Sequence, residues 1–577
     1  MRRNTVIAGV RKLGLAAVAC LVFSVLAPMY FADRPSDERF AISSVSAAPR
    51  DQLVLAVPVR LSDAPDLMLV RAVLYDYAAV AGGTKSHLVL DAPVFTLNAA
   101  GIRAPVKTGQ GDTDAAEDDL TSLFPLVQQL AALAFERITI RRGTLTIAMA
   151  DGSVETLTEI EADVTQGKGQ IEVQGSFTVR GQRLAFVATL GQSDPKVPLR
   201  WPLQANFKGS LIQGSFTGHV NLADGLQLTG ETEMSTPSLR RIGRWFGLQV
   251  QTTDGFNAAT IKADLTWARR VLAFDRARLT VDGSEANGRL VLNLAGERPL
   301  VDASLDFSQL DLTPHVEAAR LQLFGFDLPG TTWSSFDISL PMIRSLDADL
   351  RISARKVALK GYTLGQGAAT ITANAGKLQA DITELELGSG TLSAQITATM
   401  SELVPRYALR AKIENIDTGP ASTLLVGSAA LSGRATITAD LASTGYSLHE
   451  IIRRLYGKAA LVMPEGGRVA LDAKVLREAA RAGTRGWGKL ARSTASVEQF
   501  EAQALIIDGV AFAEPIQARS GSLTLAASGR LGLDDGNMDL RLTWKPSAPA
   551  DRPLKSADDG ATVNLRGPWY DPIVRGE

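Results

Sequence analysis

A short alternation of apolar and polar residues, ended by glycine and then resumed, recurs along most of this 577-residue chain. Residues 138–149, 278–294 and 522–536 are three instances, each with glycine beside or between alternating runs. A period of two gives a strand one buried face and one wetted face. The chain is therefore predicted to be mainly β, with a long antiparallel sheet and tight glycine turns.

Composition excludes several classes of protein. The 60 Lys and Arg residues balance 61 Asp and Glu residues, which argues against a dedicated nucleic-acid-binding protein. Cys20 is the only cysteine, so no intrachain disulfide can form. His87, His219, His315 and His449 have no second histidine or cysteine at metal-ligand spacing, so no zinc site is predicted.

No sequence motif of catalysis is present. The chain lacks a P-loop and a Gly-x-Ser-x-Gly elbow. The Gly-x-Gly at residues 365–367 lies in a predicted hairpin and opens no helix, so it does not indicate a nucleotide loop. We predict a protein that is not an enzyme and needs no cofactor.

The N-terminus has the pattern of a membrane anchor. Arg2, Arg3, Arg11 and Lys12 precede an apolar run at residues 13–32, which has about the 20 residues that a spanning helix needs. Basic residues stay on the cytoplasmic side. We therefore predict a single-pass anchor in the inner membrane, with the bulk of the chain in the periplasm. A cleaved signal peptide is the alternative.

Changes in composition divide the chain into four predicted regions. A cytoplasmic stub and transmembrane anchor occupy residues 1–32, and a polar tether with a membrane-proximal region follows at 33–84. Strand patterns dominate residues 85–330, which contain a polar insert at 103–119, and residues 331–577, which contain a helical cap at about 447–495.

A few short amphipathic helices interrupt the strands. Capping residues predict helices at 238–247, from Ser238, and at 447–457, from Ser447 with Glu450 three residues later. The apolar spacing of residues 472–482 predicts the longest helix of the C-terminal part.

The order of these elements resembles the AsmA family of Gram-negative bacteria. The resemblance covers roughly residues 85–575, whereas residues 33–80 differ from the glycine-rich strands that the family usually places after its anchor. The stretches that carry it are the strand at 88–97 with its following insert and helix, the strand at 138–147, the helix at 237–247, the strand at 299–312, and the strands and helices from 431 to 568.

The resemblance implies both a fold and a role. Family members resemble a membrane helix followed by a long, twisted, taco-like β-sheet curled into a groove with an apolar inner surface, related to bridge-like lipid-transfer proteins. They are associated with outer-membrane biogenesis and with phospholipid movement between membranes. The implied partners are phospholipid, the inner membrane and outer-membrane or envelope proteins.

The apolar strand faces must be covered by another layer. Long amphipathic helices are too few in the sequence to do so, which leaves a closed sandwich or a groove that holds acyl chains. Periodicity alone does not separate the two. The resemblance favours the groove, and two other functions stay open: a periplasmic scaffold that assists outer-membrane protein assembly without carrying lipid, and an envelope hydrolase.

One basic stretch is a candidate for contact with anionic headgroups. Arg477, Arg481 and Arg485 accompany Trp487, a residue suited to a membrane interface. The alternative is a solvated helical cap, in which such charges only face water.

Overall fold

The computed structural model describes the following residues: 52–55, 59–60, 67–69, 72–75, 87–98, 137–148, 154–167, 169–193, 197, 200–221, 227–245, 255–296, 298–314, 333, 335, 338, 341–344, 346–359, 362–400, 403–420, 431–470, 472–486, 494–521, 523–546, 562–569 and 571–576. The predicted anchor, its four basic residues, the insert at 103–119 and Trp487 lie outside these residues.

The chain divides into two compact units. The first comprises residues 1–250 and 256–304, and the second comprises 251–255 and 305–577. The division falls inside strand β17 (Leu300–Phe307). The four regions predicted from composition stay a prediction.

The described residues of the first unit form strands β1–β16 and helix α1 (Leu239–Trp245), which follows β13. The strands are β1 (Gln52–Leu55), β2 (Val59–Arg60), β3 (Leu67–Leu69), β4 (Ala72–Tyr75), β5 (His87–Asp91), β6 (Val94–Asn98), β7 (Arg137–Ala148), β8 (Val154–Gly167), β9 (Gln170–Val179), β10 (Gln182–Leu190), β11 (Arg200–Gly209), β12 (Gln213–Asn221), β13 (Gln227–Thr236), β14 (Ala259–Ala268), β15 (Val271–Val281) and β16 (Ser284–Asn293).

From β7 to β16, each strand pairs antiparallel with the next one in sequence. The predicted strand at 88–97 differs: it is broken into β5 and β6 at Ala92 and Pro93. Ala92 has a φ of 52°, and proline cannot donate a ladder hydrogen bond. Both halves pair parallel with β7, so the segment lines one side of a single longer strand.

Two-residue hairpin turns connect several of these strands. Between β15 and β16, Val281 lies opposite Ser284, and the turn residues Asp282 and Gly283 have φ values of 48° and 86°. Positive φ at both central residues defines a type I′ turn, whose twist matches that of the strands. The Asp-Gly pair therefore fixes the register of this hairpin.

The first unit has one strongly buried sheet face. Alternate residues of β10, from Leu184 to Leu190, are buried, and their neighbours are exposed or half-buried. One cross-strand row contains Val173, Ala188, Ala205, Phe216 and Thr232. The Thr232 hydroxyl donates a 2.9 Å hydrogen bond to the carbonyl of residue 215, which lets a polar residue occupy this apolar row.

The described residues of the second unit include strands β18–β36, a short 3-10 helix (Pro341–Arg344) and the α-helices α2 (Leu448–Arg453) and α3 (Ala473–Ala482). The strands are β18 (Leu310–Asp311), β19 (Asp347–Ala354), β20 (Val357–Leu359), β21 (Tyr362–Leu364), β22 (Gly367–Asn374), β23 (Lys377–Leu387), β24 (Gly390–Thr399), β25 (Arg406–Asp417), β26 (Leu431–Ser432), β27 (Arg434–Thr444), β28 (Tyr456–Met463), β29 (Gly467–Val469), β30 (Ala495–Val497), β31 (Gln499–Ile507), β32 (Val510–Ser520), β33 (Leu523–Gly532), β34 (Asn537–Pro546), β35 (Thr562–Pro568) and β36 (Ile573–Gly576).

An antiparallel meander forms the body of the second unit. It runs through β19, β22, β23, β24, β25, β27, β28 and β31 to β36 in sequence order. Two small sheets lie beside it: β18, β20 and β21 form one, with β18 and β20 parallel, and β26, β29 and β30 form the other.

Capping side chains begin the helices as the sequence predicts. The predicted helix at 447–457 is shorter than expected and ends at Arg453, because Tyr456 and Gly457 already pair with the neighbouring strand in β28. Ser238 Oγ accepts a 3.3 Å hydrogen bond from the Arg241 amide at the start of α1. Ser447 Oγ accepts from the Glu450 amide at 3.3 Å and begins α2. Asp472 begins α3, and Gly483, with a φ of 59°, ends it.

The prediction of a mainly β chain with mostly antiparallel strands and a few short helices is confirmed. Within the described ranges, no helix is long and apolar enough to cross a membrane. The curl of the sheet into a groove stays a prediction.

Candidate functional site

The strands of the second unit present one face made almost wholly of apolar side chains. Residues directly opposite each other in an antiparallel pair point to the same side of the sheet, so the register aligns them in rows across the strands. One row consists of small residues on seven consecutive strands of the meander. Its members are Ala394, Ala411, Ala439, Ala459, Ala504, Ala513 and Gly529.

Two rows of mostly larger side chains flank this small-residue row. On one side lie Ile396, Leu409, Leu441, Gly457, Ile506, Ala511 and Leu531. On the other side lie Leu392, Ile413, Ile437, Leu461, Ala502, Ile516 and Ala527.

The difference in side-chain length gives the face a shallow channel. An alanine side chain ends at Cβ, whereas leucine and isoleucine extend two bonds further from the sheet. The small-residue row is therefore the low line of the face. Seven strands at about 4.8 Å spacing give this line a length of roughly 29 Å.

The face is only partly covered. Ile413, Ile437 and Leu461 are half-buried, and Ile396 is 39% exposed. The 3-10 helix covers one corner, where Ile343 packs with Ala373, Ala398 and Met400. Between that corner and α3, the large apolar side chains of β24, β25 and β27 keep part of their surface exposed, which is unusual for such a long apolar run.

Helix α3 covers the C-terminal end of the face. Leu476 is fully buried and Ala479 is 6% exposed, and both belong to a core that includes Val563, Leu565 and Val574 of β35 and β36. A sheet end closed in this way has a dry core rather than an open channel. The apolar face thus changes along its length from half-exposed to sealed.

A cavity of about 520 Å³ lies between α3 and the strands beneath it. Two of the arginines predicted from sequence line it: Arg477, which is half-buried, and Arg481, which is exposed. Arg485 lies elsewhere, because its Nε is 2.7 Å from Asp571 Oδ2 and its backbone bridges to Ile573. Arg485 therefore does not line this cavity, and contact of these arginines with anionic headgroups stays a prediction.

Sequence reasoning missed most of the lining of this cavity. Leu525 and Trp544 lie opposite each other on β33 and β34, and Val497 comes from β30. Lys474 on α3 completes the basic side. The apolar residues occupy alternating strand positions, but only the register brings them under one helix.

The first unit has a different concavity, on the polar side of its sheet. A cleft of about 1130 Å³ crosses β7–β13. In it, Thr139 Oγ1 donates a 2.6 Å hydrogen bond to Asp163 Oδ1, and His87 Nε2 lies 3.0 Å from Thr139 Oγ1. Because Thr139 gives its proton to the aspartate, His87 is the donor of the second bond. The histidine therefore does not activate the hydroxyl as a base would.

Two further titratable residues among those described, His219 and Asp381, have shifted pKa values. The pKa of His219 is lowered, first by burial and then by the charge of Arg200. The pKa of Asp381 is lowered by hydrogen bonds from Gln379 and then Gln395, both at 2.8 Å. Among the described residues, no group of three or more His, Cys, Asp or Glu side chains could hold a metal ion.

Comparison with known proteins bears on the second unit. The model of the AsmA family matches residues 327–499, which include the small-residue row from Ala394 to Ala459 and all of α3. The chain is also similar to Protein AsmA of Escherichia coli (strain K12), at 24% identity over 286 residues. The similar region covers 47% of this chain and 46% of the relative, about half the length of each. The resemblance is confirmed over residues 327–499, which match the model of the AsmA family.

Proposed function

We propose that the protein binds phospholipid acyl chains on the apolar face of its second unit and takes part in lipid transport and outer-membrane biogenesis. The observation that carries this proposal is the small-residue row between two rows made mostly of Leu and Ile. A low apolar line about 29 Å long matches the shape of extended acyl chains. No charged side chain belongs to the three rows.

The energetics favour a chain-like occupant. Each methylene removed from water contributes about 0.8 kcal/mol, so a continuous apolar line can hold an acyl chain without specific polar contacts. The half-exposed Ile and Leu residues of the face would lose their remaining contact with water when such a chain lies between them.

The proposed location follows from the N-terminal pattern. An anchor at residues 13–32, with Arg2, Arg3, Arg11 and Lys12 on its cytoplasmic side, would hold both units in the periplasm. Lipid exchange with the inner membrane then needs no further attachment.

Substitution in the small-residue row tests the proposal. Ala411 and Ala439 lie opposite each other, so Ala411→Trp or Ala439→Trp should fill the low line and reduce the phospholipid that co-purifies with the full chain in native mass spectrometry. Ala408→Trp is the matched control, because residue 408 lies on the same strand and points to the opposite face.

The alternative is a scaffold that assists outer-membrane protein assembly without carrying lipid. The half-exposed face could instead hold an apolar segment of an unfolded protein. Wild-type protein that is free of lipid, or Trp variants that keep their full lipid content, would count for the scaffold. Loss of lipid in the row variants, with the Ala408→Trp control unchanged, would count against it.

A further inference from the structure

The cavity beneath α3 has an apolar floor that continues the face described above. Phe500, Ala518, Leu525 and Trp544 form the next row of that face, two residues along each strand from Ala502, Ile516, Ala527 and Leu542. Trp544 is 4% exposed, so the indole side chain forms part of the cavity wall rather than of the outer surface.

The helix side of the cavity is basic. Lys474, Arg477 and Arg481 are spaced three and four residues apart, so they lie along one side of α3. Two carboxylates share the lining, Asp472 and Glu478. Asp472 Oδ1 already accepts the amides of Lys474 and Val475, at 2.9 and 3.0 Å, as the cap of α3. Three cationic and two anionic side chains thus line the cavity.

We propose that this cavity binds one anionic single-chain amphiphile, such as a fatty acid or a lysophospholipid. Its chain lies over Ala518, Leu525 and Trp544, and its carboxylate or phosphate meets Arg477 and Arg481. A free phosphate would gain nothing from the apolar floor, and an uncharged chain would gain nothing from the basic side. The volume, about 520 Å³, falls within the range of small-molecule sites and suits one chain better than two.

The inference rests on the proposed function, since the cavity floor continues the apolar face, but it concerns a separate set of residues. It also gives the sealed end of the face a role. The face holds acyl chains in transit, whereas the cavity binds only chains that end in an anionic group. Guanidinium groups bind carboxylate and phosphate through two parallel hydrogen bonds, which explains why arginine rather than lysine occupies the half-buried position 477.

Quenching of tryptophan fluorescence tests the site. The full chain is titrated with dibromostearate, whose bromines quench an indole on contact, and Trp544→Phe identifies the signal of the cavity. We expect saturable quenching that is lost in Trp544→Phe. The double variant Arg477→Gln/Arg481→Gln should raise the half-saturating concentration about tenfold, because two charge-assisted contacts are removed.

Matched controls separate the contribution of the anionic headgroup to binding from that of the apolar chain. Arg468→Gln removes a basic residue that bonds Thr494, outside the cavity lining, and should bind dibromostearate as the wild type does. Brominated stearyl alcohol tests the chain without the charge, and inorganic phosphate should not compete at concentrations where dibromostearate saturates. Equal binding of the alcohol, or displacement by phosphate alone, would overturn the proposal.

Failure of the cavity site can be distinguished from failure of the proposed lipid binding on the face. Quenching that persists in Trp544→Phe, or that is unchanged in the double arginine variant, would overturn the cavity site while leaving lipid on the face untouched. Loss of co-purifying lipid in Ala411→Trp tests the face alone. If the protein binds dibromostearate at Trp544 but carries no phospholipid, the cavity site is supported and lipid binding on the face is refuted.

Discussion

The indole Nε1–H of Trp333 donates a hydrogen bond to the carbonyl of Leu533, a residue 200 positions later in the chain. Leu533 follows the end of β33 and lies in the turn that leads to β34. Trp333 belongs to the stretch between β18 and β19, so this bond ties that connection to a strand from the far end of the unit.

Replacement of this indole tests the value of the bond. Trp333→Phe keeps an aromatic ring but leaves the Leu533 carbonyl without this donor, which should cost about 1 kcal/mol of unfolding free energy. For a unit of this size, the thermal midpoint should fall by about 2 °C, measured by circular dichroism. An unchanged midpoint would mean that water replaces the indole at no cost.

The N-cap of α3 should control the local stability of the helix over the cavity. Asp472→Ala removes the acceptor for two amides and should cost about 1 kcal/mol, seen as faster hydrogen exchange of the α3 amides. Asp472→Asn keeps an acceptor oxygen and should exchange nearly as slowly as the wild type. Equal exchange in Asp472→Ala and wild type would contradict the capping role.

Backbone conformation should dominate the effect of adding a methyl group at Gly283. A Cβ there meets nothing within 4 Å, but its φ is +86°, a region that costs other residues about 1 kcal/mol. Gly283→Ala should therefore destabilise the first unit by about that amount in urea denaturation. Gly167→Ala is the matched control, since its added Cβ also meets nothing and its φ is not in the left-handed region. Similar losses in both variants would refute the backbone explanation.

His219 should make the first unit less stable as the pH falls. Burial, and then the charge of Arg200, lower its pKa in the folded state below the ordinary value of 6.5. The unfolded chain then binds the proton first, so the stability present above pH 6.5 is lost as the pH falls through the folded-state pKa. His219→Gln should remove this part of the pH dependence, and Arg200→Gln should reduce it. A pH profile identical to wild type in His219→Gln would exclude this residue as the cause.

Local signals in the sequence were sufficient for most strands, for the turns and for the positions where the helices begin. Ser238, Ser447 and Asp472 begin helices because each accepts an amide within three residues of its own position. The Asp282-Gly283 turn likewise depends only on the conformations that its two residues adopt. Such features involve a few neighbouring residues, so the sequence contains all the information they need.

Features that depend on register could not be predicted in the same way. The small-residue row joins Ala504 to Ala513 and then to Gly529 only because bulges shift the pairing between Ala502 and Ala504 and between Ala513 and Ile516. Each shift is set by contacts with the neighbouring strand. For the same reason, the separation of Arg485 from Arg477 and the inclusion of Trp544 in the cavity appear only in three dimensions.

The order of the meander limits how such a chain can change in length. One residue inserted within β27 would turn its following side chains to the opposite face and replace Ala439 in the small-residue row by a neighbour such as Thr438 or Asp440. A complete hairpin inserted at a turn would separate the two strands which that turn joins, but it would keep the register of every other pair and lengthen the row by about 10 Å. The architecture therefore resists single insertions but can grow by two strands at a time. The length of the sheet can thus change in evolution without a change in the residue types of the apolar face.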